Sequence, residues 1–259
     1  MLQFSDANTK IEKLYKVEAL AKWLTNNRKI YSLDLLSGWS CPFAHECLSK
    51  ATPTGEISKA GNPRMKIVDG KDTKFRCFSA SQEVLLPNVY SLRKRNYDML
   101  RQPDIHMDLL LMDSMPKDAG IVRIHVAGDF FNSEYMWAWW LTASENPNIL
   151  FYAYTKSLRY WIDVVNEMPI LDNFVLTASY GGRNDHMIDE HNLRSAKVVF
   201  SESEANILGL EIDHDDSHAA IPSMCNKDFA LLIHGVQPKG SEAATALSAL
   251  NGKGSYSRG

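Results

Sequence analysis

A regular alternation of short apolar runs and helical patterns, which begins at Ile121, constrains the fold of this chain more than any other feature. The apolar runs cover residues 121–127, 149–155, 173–179, 196–201 and 229–235. Helical patterns separate several of these runs, as in the tryptophan-rich segment 134–144. Strands that alternate with helices pair in parallel and are covered by helices on at least one face. The sequence therefore predicts an α/β protein with a parallel sheet, which is either doubly wound or a full or partial barrel.

The first half of the chain is predicted to add helices, one more strand and a long loop. Apolar side chains recur at three- and four-residue spacing over 8–27, which predicts an amphipathic helix. A strand is predicted over 29–36, and a long irregular stretch follows over 39–80. Loops of that length in compact domains are usually functional or disordered. Residues 81–115 are predicted to be helical in two pieces that are broken near Pro103.

The end of the chain differs in composition from the rest. After Val236 the sequence is small and polar and has no strong period, which is typical of a mobile tail or of a docking segment for a partner. We therefore predict a single α/β domain over 1–236 and a flexible C-terminal tail over 237–259.

The composition of the 259-residue chain limits what it is expected to bind. Hydrophobic residues make up 45% and charged residues 23%, as in ordinary globular proteins. The net charge of −3 gives no electrostatic reason to expect a nucleic-acid partner. No apolar run approaches the roughly 20 residues that cross a membrane, and residues 1–13 lack the pattern of a signal peptide. We expect a cytoplasmic protein without a membrane partner.

The four cysteines are the residues most indicative of chemistry. Cys41, Cys47, Cys77 and Cys225 all lie in loop-like sequence beside Pro, Ser, Arg or Asn, and none lies within a predicted strand or helix. A disulfide framework is not expected in a reducing compartment. Loop positions are unusual for inert core cysteines and typical of thiolate ligands, and four thiolates suit either a tetrahedral zinc ion or a cubane iron–sulfur cluster.

The spacing of the cysteines favours the cluster over zinc. Structural zinc sites normally use two cysteines separated by two to four residues, whereas Cys41 and Cys47 are separated by five. A wider loop suits a larger inorganic group, although zinc and inert cysteines both remain open. His45 lies between the first two cysteines, where it is either a replacement ligand or, as we prefer, a solvated loop histidine.

Polar residues follow several strands at the end where barrels and open α/β sheets build their sites. These candidate site residues are Arg123, His125, Asp129, Lys156 and Ser179. By strand alternation Arg123 and His125 are expected to share a face. Each residue alone is more often a cap, an exposed charge or a core residue, but their joint placement predicts a pocket.

Three further motifs have weaker signals. The backbone N–H groups of Gly181 and Gly182 could approach a phosphate or a cofactor carboxylate, although a plain turn is the commoner use of such a pair. The stretch 213–218 contains three Asp and two His residues, and we expect a solvated acidic loop in preference to a divalent-cation site. The basic run 93–95 is expected to lie on an exposed helix face.

Several segments together resemble a known protein family. They are SGWSCPFAHEC, RCFSA, VRIHVAGDFFNSEYMWAWW and FYAYTKSL, within residues 30–235. They resemble a family of bacteriophage-encoded iron–sulfur proteins that is similar in fold to radical-SAM enzymes. The resemblance implies a partial (βα)6-like parallel barrel in the host cytoplasm, with a [4Fe–4S] cluster at its mouth. Carried over residue by residue, it implies Cys41, Cys47, Cys77 and Cys225 as the cluster ligands.

The resemblance is incomplete in one respect that concerns the reaction. Radical-SAM enzymes use a C-x3-C-x2-C triplet that leaves one iron open for S-adenosylmethionine, and this chain has no such triplet. We therefore expect an iron–sulfur protein with an electron-transfer, redox or radical-SAM-like role and an unidentified redox partner or small-molecule substrate. The alternatives are a structural or virion-associated protein in which metal only staples the 39–80 loop, and a nucleic-acid-modifying enzyme.

Overall fold

The computed structural model describes residues 1–58, 61, 63–224 and 226–250. Eight strands of this part of the chain form one sheet, and two more form a separate hairpin. The strands are, in chain order, β1 (Ser5–Asp6), β2 (Lys29–Leu33), β3 (Ser49–Ile57), β4 (Pro63–Asp69), β5 (Ala119–Ile124), β6 (Leu150–Thr155), β7 (Phe174–Ser179), β8 (Ser195–Val199), β9 (Glu211–Ile212) and β10 (Phe229–Leu232). The α-helices are α1 (Phe78–Leu85), α2 (Pro87–Leu100), α3 (Met107–Ser114), α4 (Ser133–Glu145), α5 (Leu158–Glu167), α6 (His186–Glu190), α7 (Glu202–Leu208), α8 (Ser217–Ala220) and α9 (Glu242–Ala249). Short 3-10 helices cover Ile11–Lys16, Glu18–Trp23, Thr25–Asn27 and Pro222–Met224.

The large sheet is parallel except at one edge. Its spatial order is β1-β2-β5-β6-β7-β8-β10-β9, and among the described strands of this sheet only β1 runs antiparallel to its neighbour. The six strands from β2 to β10 lie side by side in the order in which they occur along the chain. The predicted α/β class with a mostly parallel sheet is confirmed, and each of the six predicted strands belongs to this sheet.

Both faces of the sheet are covered, which explains why its strands are almost continuously apolar. On one face, Val122 and Phe151 pack in a core with Trp139 of α4. On the other face, Ile121 and Leu150 pack with side chains of the N-terminal 3-10 helices. Neighbouring residues of β5 thus point to opposite faces, as strand alternation requires, and both are buried.

The N-terminal segment is helical but forms no α-helix. The amphipathic helix predicted over 8–27 is replaced by three successive 3-10 helices. Ile11, Leu14 and Leu20 are buried, and Val17 separates the first two helices with an extended backbone. The apolar side chains recur every third residue, and this spacing places them on one face of a helix with 3.0 residues per turn.

The region 39–80, predicted to be irregular, contains the hairpin β3–β4. Ser49 and Ala51 at the base of the hairpin are buried, whereas residues 53–57 are exposed on both faces. A strand without a buried face has no alternation of apolar and polar residues, so the sequence pattern could not reveal it. The hairpin lies between Cys47 and Cys77 in the chain.

The helical region 81–115 contains three helices where two were predicted. The additional break falls between Leu85 and Pro87, which is the first residue of α2. Proline suits the first helical position because its missing N–H would have no partner there, and it disfavours helical geometry in the residue before it. The predicted break near Pro103 separates α2 from α3.

The segment predicted as a flexible tail contains a helix. Ser241 caps α9 by accepting a hydrogen bond from the Ala244 N–H. Ala243 and Leu250 are buried in a small core with Leu232 of β10. The chain from 237 to 250 is therefore packed against the domain, and residues 251–259 lie outside the described residues.

Candidate functional site

The thiols of Cys41, Cys47 and Cys77 share one neighbourhood beyond the carboxyl end of β2. Cys41 and Cys47 belong to the loop that follows β2, and Cys77 directly precedes α1. All three are free thiols of intermediate exposure. Burial, and then the charges of Asp129, Cys77 and Cys47, raise the pKa of Cys41 well above its usual range. Because such influence falls off with distance, Cys47 and Cys77 lie in the electrostatic neighbourhood of Cys41.

Backbone donors face two of these sulfur atoms. The Gly38 N–H donates a hydrogen bond to Cys41 Sγ at 3.3 Å. Burial raises the pKa of Cys77 to about 11, while the N–H groups of Ser79 and Ala80, in the first turn of α1, act in the opposite direction. Both thiols are therefore neutral at pH 7 without a positive partner. The N–H groups and the helix dipole are nevertheless placed to stabilise a thiolate once one forms.

The described part of the chain contains no group of three or more His, Cys, Asp or Glu residues that could hold a metal ion. Cys225, the fourth predicted ligand, lies outside the described residues. His45 pairs through Nε2 with Asp72 at 3.0 Å, and its side chain is 37% exposed, which fits a solvated loop histidine. From beyond β10, the Gln237 side chain accepts a hydrogen bond from the Arg76 N–H and donates one to the Arg76 carbonyl. The chain after β10 thus reaches the loop of Cys77.

Gly181 and Gly182 connect the end of β7 to the cysteine loop. The carbonyl of Gly181 accepts hydrogen bonds from the N–H groups of His45 and Glu46. The N–H groups of both glycines donate to the Asp185 carboxylate, each at 2.8 Å. These donors, the candidate contacts for a phosphate or cofactor carboxylate, are therefore occupied by this side chain, as in the plain turn that was the preferred interpretation of this pair. Gly181 has a φ of 90°, and a Cβ there would lie 3.2 Å from Glu46.

Asp129 is fixed by several donors at the carboxyl end of β6. It is 5% exposed and accepts hydrogen bonds from Thr155 Oγ1 at 2.6 Å and from the N–H groups of Phe130 and Lys156 at 2.8 and 2.9 Å. Burial raises the pKa of its carboxyl group, although these donors act to lower it. Its charge also acts on Cys41, so Asp129 stands beside the cysteine neighbourhood.

Lys156 and Ser179 are brought together, as the sequence predicted for residues at the ends of adjacent strands. Lys156 Nζ donates to Ser179 Oγ at 2.5 Å, and Lys156 is 8% exposed. A Cβ on Gly182 would lie 3.2 Å from Lys156, so the glycine loop packs directly on this side chain. Lys156, Ser179 and Asp129 thus form one group of polar residues at the carboxyl edge of β6 and β7.

Arg123 and His125 do not share a face, and that prediction is wrong. β5 ends at Ile124, and His125 has a φ of 68°, so the strand alternation stops before it. His125 Nε2 lies 3.0 Å from the hydroxyl of Tyr135 on α4, and burial lowers the pKa of the histidine to about 3. Arg123 instead forms an ion pair with Asp216 on the opposite face of the sheet. Neither side chain joins Asp129 and Lys156 in the described contacts.

The stretch 213–218 is not a solvated acidic loop, contrary to expectation. The side chains of Asp213 and Asp216 are fully buried, and both pair with Lys10. Arg123 pairs with Asp216, and His218 Nδ1 lies 3.1 Å from Asp213. The acidic residues are buried because these cations, drawn from distant parts of the chain, compensate for the cost of desolvation.

Comparison with known proteins identifies the family. A family model described as Gene product 88 matches residues 2–251. The chain belongs to the Gene product 88 family. The Gene 88 protein of Mycobacterium phage L5 is 30% identical over 90 residues, which are 31% of this chain and 38% of that relative. The matched part is thus less than two thirds of that relative's length. No solved structure matches the chain.

The predicted membership of a bacteriophage protein family is confirmed by these matches. Neither the family description nor the name of the relative specifies a cofactor, so the iron–sulfur cluster stays a prediction. Among the described residues of this Gene product 88 protein, no helix has the length and apolarity needed to span a bilayer.

A buried ion cluster that was not predicted from the sequence braces the cysteine loop in this member of the Gene product 88 family. Glu83 of α1 accepts hydrogen bonds from the N–H and Oγ of Ser37 and from Arg93 of α2. Arg93 is 3% exposed, so its expected exposed position is wrong. Helical spacing could have predicted this burial. Arg93 lies three residues before Asn96 and four before Tyr97, which are both buried, and therefore on the buried face of α2.

Proposed function

We propose that this protein binds one [4Fe–4S] cluster beyond the carboxyl end of its sheet and uses it in electron transfer or in a radical-SAM-like reaction. Cys41, Cys47 and Cys77 are the ligands with structural support, and Cys225 is the predicted fourth. The observation that carries the proposal is that three cysteines from two loops share one neighbourhood in which their charges act on one another. Burial first, and then the charges of neighbouring cysteines, raise the pKa of Cys41 and of Cys77, and a bound cation would offset both effects.

A cluster fits the cysteines better than a single ion. Sulfur atoms that share one zinc ion at bonds of 2.3 Å lie about 3.8 Å apart in tetrahedral geometry. In a cubane each cysteine binds a different iron, so the sulfur atoms stand farther apart. Cys41 and Cys47 are separated by five residues, whereas structural zinc sites normally use cysteines separated by two to four. This spacing favours the wider inorganic group.

The order of the strands supports the predicted partial (βα)6-like barrel. A doubly wound sheet reverses its direction at a switch point, whereas the six strands from β2 to β10 proceed in chain order without reversal. Helices α4 and α5, which connect successive strands, pack in the core on the same face. Sites in such folds are built from loops at the carboxyl ends of the strands, and the loop of Cys41 and Cys47 is one of these.

The number of ligands decides between the two roles. Four cysteine ligands saturate the cluster and favour electron transfer, whereas three leave one iron for a substrate or for S-adenosylmethionine. Asp129 and Lys156 would act beside either form. Asp129 holds the end of β6 against the cysteine neighbourhood, and Lys156 lies at the same carboxyl edge, where its Nζ donates to Ser179.

Purification under anaerobic conditions tests the cluster directly. We expect brown protein with about four iron atoms per chain and broad absorption near about 400 nm from thiolate–iron charge transfer. C41S, C47S and C77S should each lose most of the iron, whereas H45A, which removes an imidazole from the same loop, should keep it. Colourless protein that contains one zinc ion per chain, or iron retained in all three serine variants, would disprove the proposal.

The C225S variant separates the two roles. If Cys225 is a ligand, this variant loses iron and S-adenosylmethionine leaves the EPR signal of the reduced wild-type cluster unchanged. If Cys225 is not a ligand, C225S keeps its iron, and S-adenosylmethionine can bind the open iron and change the EPR signal. The first outcome selects electron transfer, and an EPR change in the second selects the radical-SAM-like reaction.

A further inference from the structure

We propose that the hairpin β3–β4 binds the phosphate backbone of double-stranded DNA. The net charge of −3 conceals an asymmetry along the chain. Residues 49–76, which contain the hairpin, include seven Lys or Arg and three Asp or Glu residues, whereas the rest of the chain has 21 and 28. The segment therefore has a formal charge of +4 and the remainder a formal charge of −7. A basic segment on an acidic protein is the electrostatic footprint of a nucleic-acid contact.

Cationic residues of the hairpin lie together on its exposed face. The register of the two strands places Lys50 opposite Val68 and Thr52 opposite Lys66, and residues that lie directly opposite share a face. Along β4, Arg64, Lys66 and Val68 are exposed, whereas the residues that alternate with them are half-buried. We call this surface the basic face, and it comprises Lys50, Thr52, Thr54, Glu56, Arg64, Lys66 and Val68. None of these residues is a proposed cluster ligand, so the inference goes beyond the proposed function.

The basic face has three cationic side chains and one acidic side chain. Glu56 pairs with Arg64 at 3.1 Å, and both side chains are exposed to solvent. Among the described residues, no carboxylate lies within ion-pair distance of Lys50 or Lys66. Lys and Arg side chains are the main donors to phosphate oxygens in complexes with DNA. The two lysines therefore provide the principal contacts, and Arg64 adds a third when the phosphate competes with Glu56.

The hairpin is fixed at its base and exposed in its outer part. Trp39 Nε1 donates a hydrogen bond to the Ala51 carbonyl at 3.1 Å, and the Cys77 N–H donates to Ser49 Oγ at 3.3 Å. Residues 53–57 are exposed on both faces of β3. A ribbon that is held at one end and free of other elements at the other is suited to enter a groove of a partner.

The shape and composition of the hairpin favour duplex DNA over other nucleic acids. The major groove of B-DNA admits a two-stranded β-ribbon, whereas that of an RNA duplex is too narrow for side chains to enter. Single strands are bound largely by stacking on exposed rings. None of the seven residues of the basic face is aromatic, and one face of the neighbouring Trp39 ring is covered by Lys50, whose Nζ lies 4.5 Å from the ring centroid. Because the contacts go to phosphates, we expect binding that does not depend on base sequence.

Fluorescence anisotropy of a labelled DNA duplex, titrated with the full-length protein, tests the contact. At about 50 mM salt we expect saturable binding with a Kd below about 100 μM, and the logarithm of the affinity should fall with that of the salt concentration at a slope of about −2 to −3. K66Q should weaken binding about three- to tenfold and reduce the slope by about one. E56Q removes the acidic side chain of the basic face and should strengthen binding about two- to threefold. K13Q, which removes an exposed lysine of the first 3-10 helix, is the matched control and should leave the affinity unchanged.

Three results would overturn the inference. The first is the absence of DNA binding at low salt. The second is an equal loss of affinity in K66Q and K13Q, which would show that the overall charge, and not the hairpin, attracts the DNA. The third is binding of an RNA duplex, of single-stranded DNA of the same length or of phosphatidylserine vesicles as tightly as the DNA duplex, since the hairpin would then not select duplex DNA. Loss of iron does not alter the basic face, so DNA binding by colourless protein would support this inference even where the cluster proposal fails.

Discussion

Two clusters of buried charges in this protein differ in the ratio of cations to carboxylates. The first joins α1, α2 and the chain after β2, where Arg93 lies 3.1 Å from Glu83 and 3.6 Å from Asp34. Among the described residues Arg93 is the one cation within ion-pair distance of these two acids. Glu83 is fully buried, and its Oε2 has no hydrogen-bond partner in the described part of the chain.

The second cluster joins the N-terminal segment, β5 and the chain after β9. Asp216 pairs with Arg123 and, at 2.6 Å, with Lys10. Asp213 lies 3.4 Å from Lys10 and 3.1 Å from His218. Two carboxylates here have three cationic or titratable partners, so each acid keeps a partner when one is removed.

The two clusters shift the pKa values of their acids in opposite directions. Burial raises the pKa of Glu83, and the single arginine with Ser37 does not reverse that effect. Burial acts in the same sense on Asp216, but Arg123 and Lys10 outweigh it and the pKa is lowered. Burial therefore dominates where one cation serves two acids, and pairing dominates where cations are more numerous.

The largest expected effect is in the first cluster. Arg93→Met leaves Glu83 and Asp34 buried without a cation, and removing one partner of a buried pair costs about 3–5 kcal/mol. We expect the free energy of unfolding, measured in urea, to fall by that amount. Lys94→Met, which removes an exposed partner of Asp98 on the same helix, should change it by less than about 0.5 kcal/mol. Equal effects of the two variants would show that Arg93 is not the unique support of its cluster.

Arg123→Met should have a smaller effect, because Asp216 keeps Lys10. We expect a loss of about 1–3 kcal/mol in the free energy of unfolding, as for a charged hydrogen bond. The double variant Arg123→Met with Lys10→Met should lose more than the sum of the single losses, since only then is Asp216 without a cation. A double-mutant cycle measures this coupling. Additive losses would contradict the idea that the two cations substitute for each other.

The sequence predicted the sheet well and the charge clusters poorly, for one physical reason. An apolar run such as 121–127 indicates a strand that is buried on both faces, because an apolar side chain is stabilised by any apolar neighbour and needs no particular partner. A buried ion pair depends on one specific partner, and Arg123 and Asp216 are 93 residues apart in the chain. Local pattern contains no information about such a pairing, so Asp216 was expected to lie in a solvated loop.

The candidate site divides in the same way. Asp129, Lys156 and Ser179 follow strands whose ends lie side by side, so their approach follows from parallel pairing alone. His125 was placed incorrectly because its positive φ interrupts the alternation, and no residue type in this segment requires that conformation. Loop geometry of this kind is decided by tertiary contacts, here those of His125 with Tyr135.

The pH dependence of stability gives the smallest but most specific test of the comparison. The pKa of Glu83 is raised on folding, so its contribution is present below pH 4.5, its ordinary value, and is lost as the pH rises through the raised pKa. The pKa of Asp216 is lowered, so its contribution is present above pH 3.8, its ordinary value, and is lost as the pH falls through the lowered pKa. The stability difference between wild type and E83Q should therefore change as the pH rises above 4.5. The stability difference between wild type and D216N should change as the pH falls below 3.8. Urea unfolding of the three proteins from about pH 3 to 7 measures both differences, and parallel profiles for the two variants would refute the opposite titration of the two clusters.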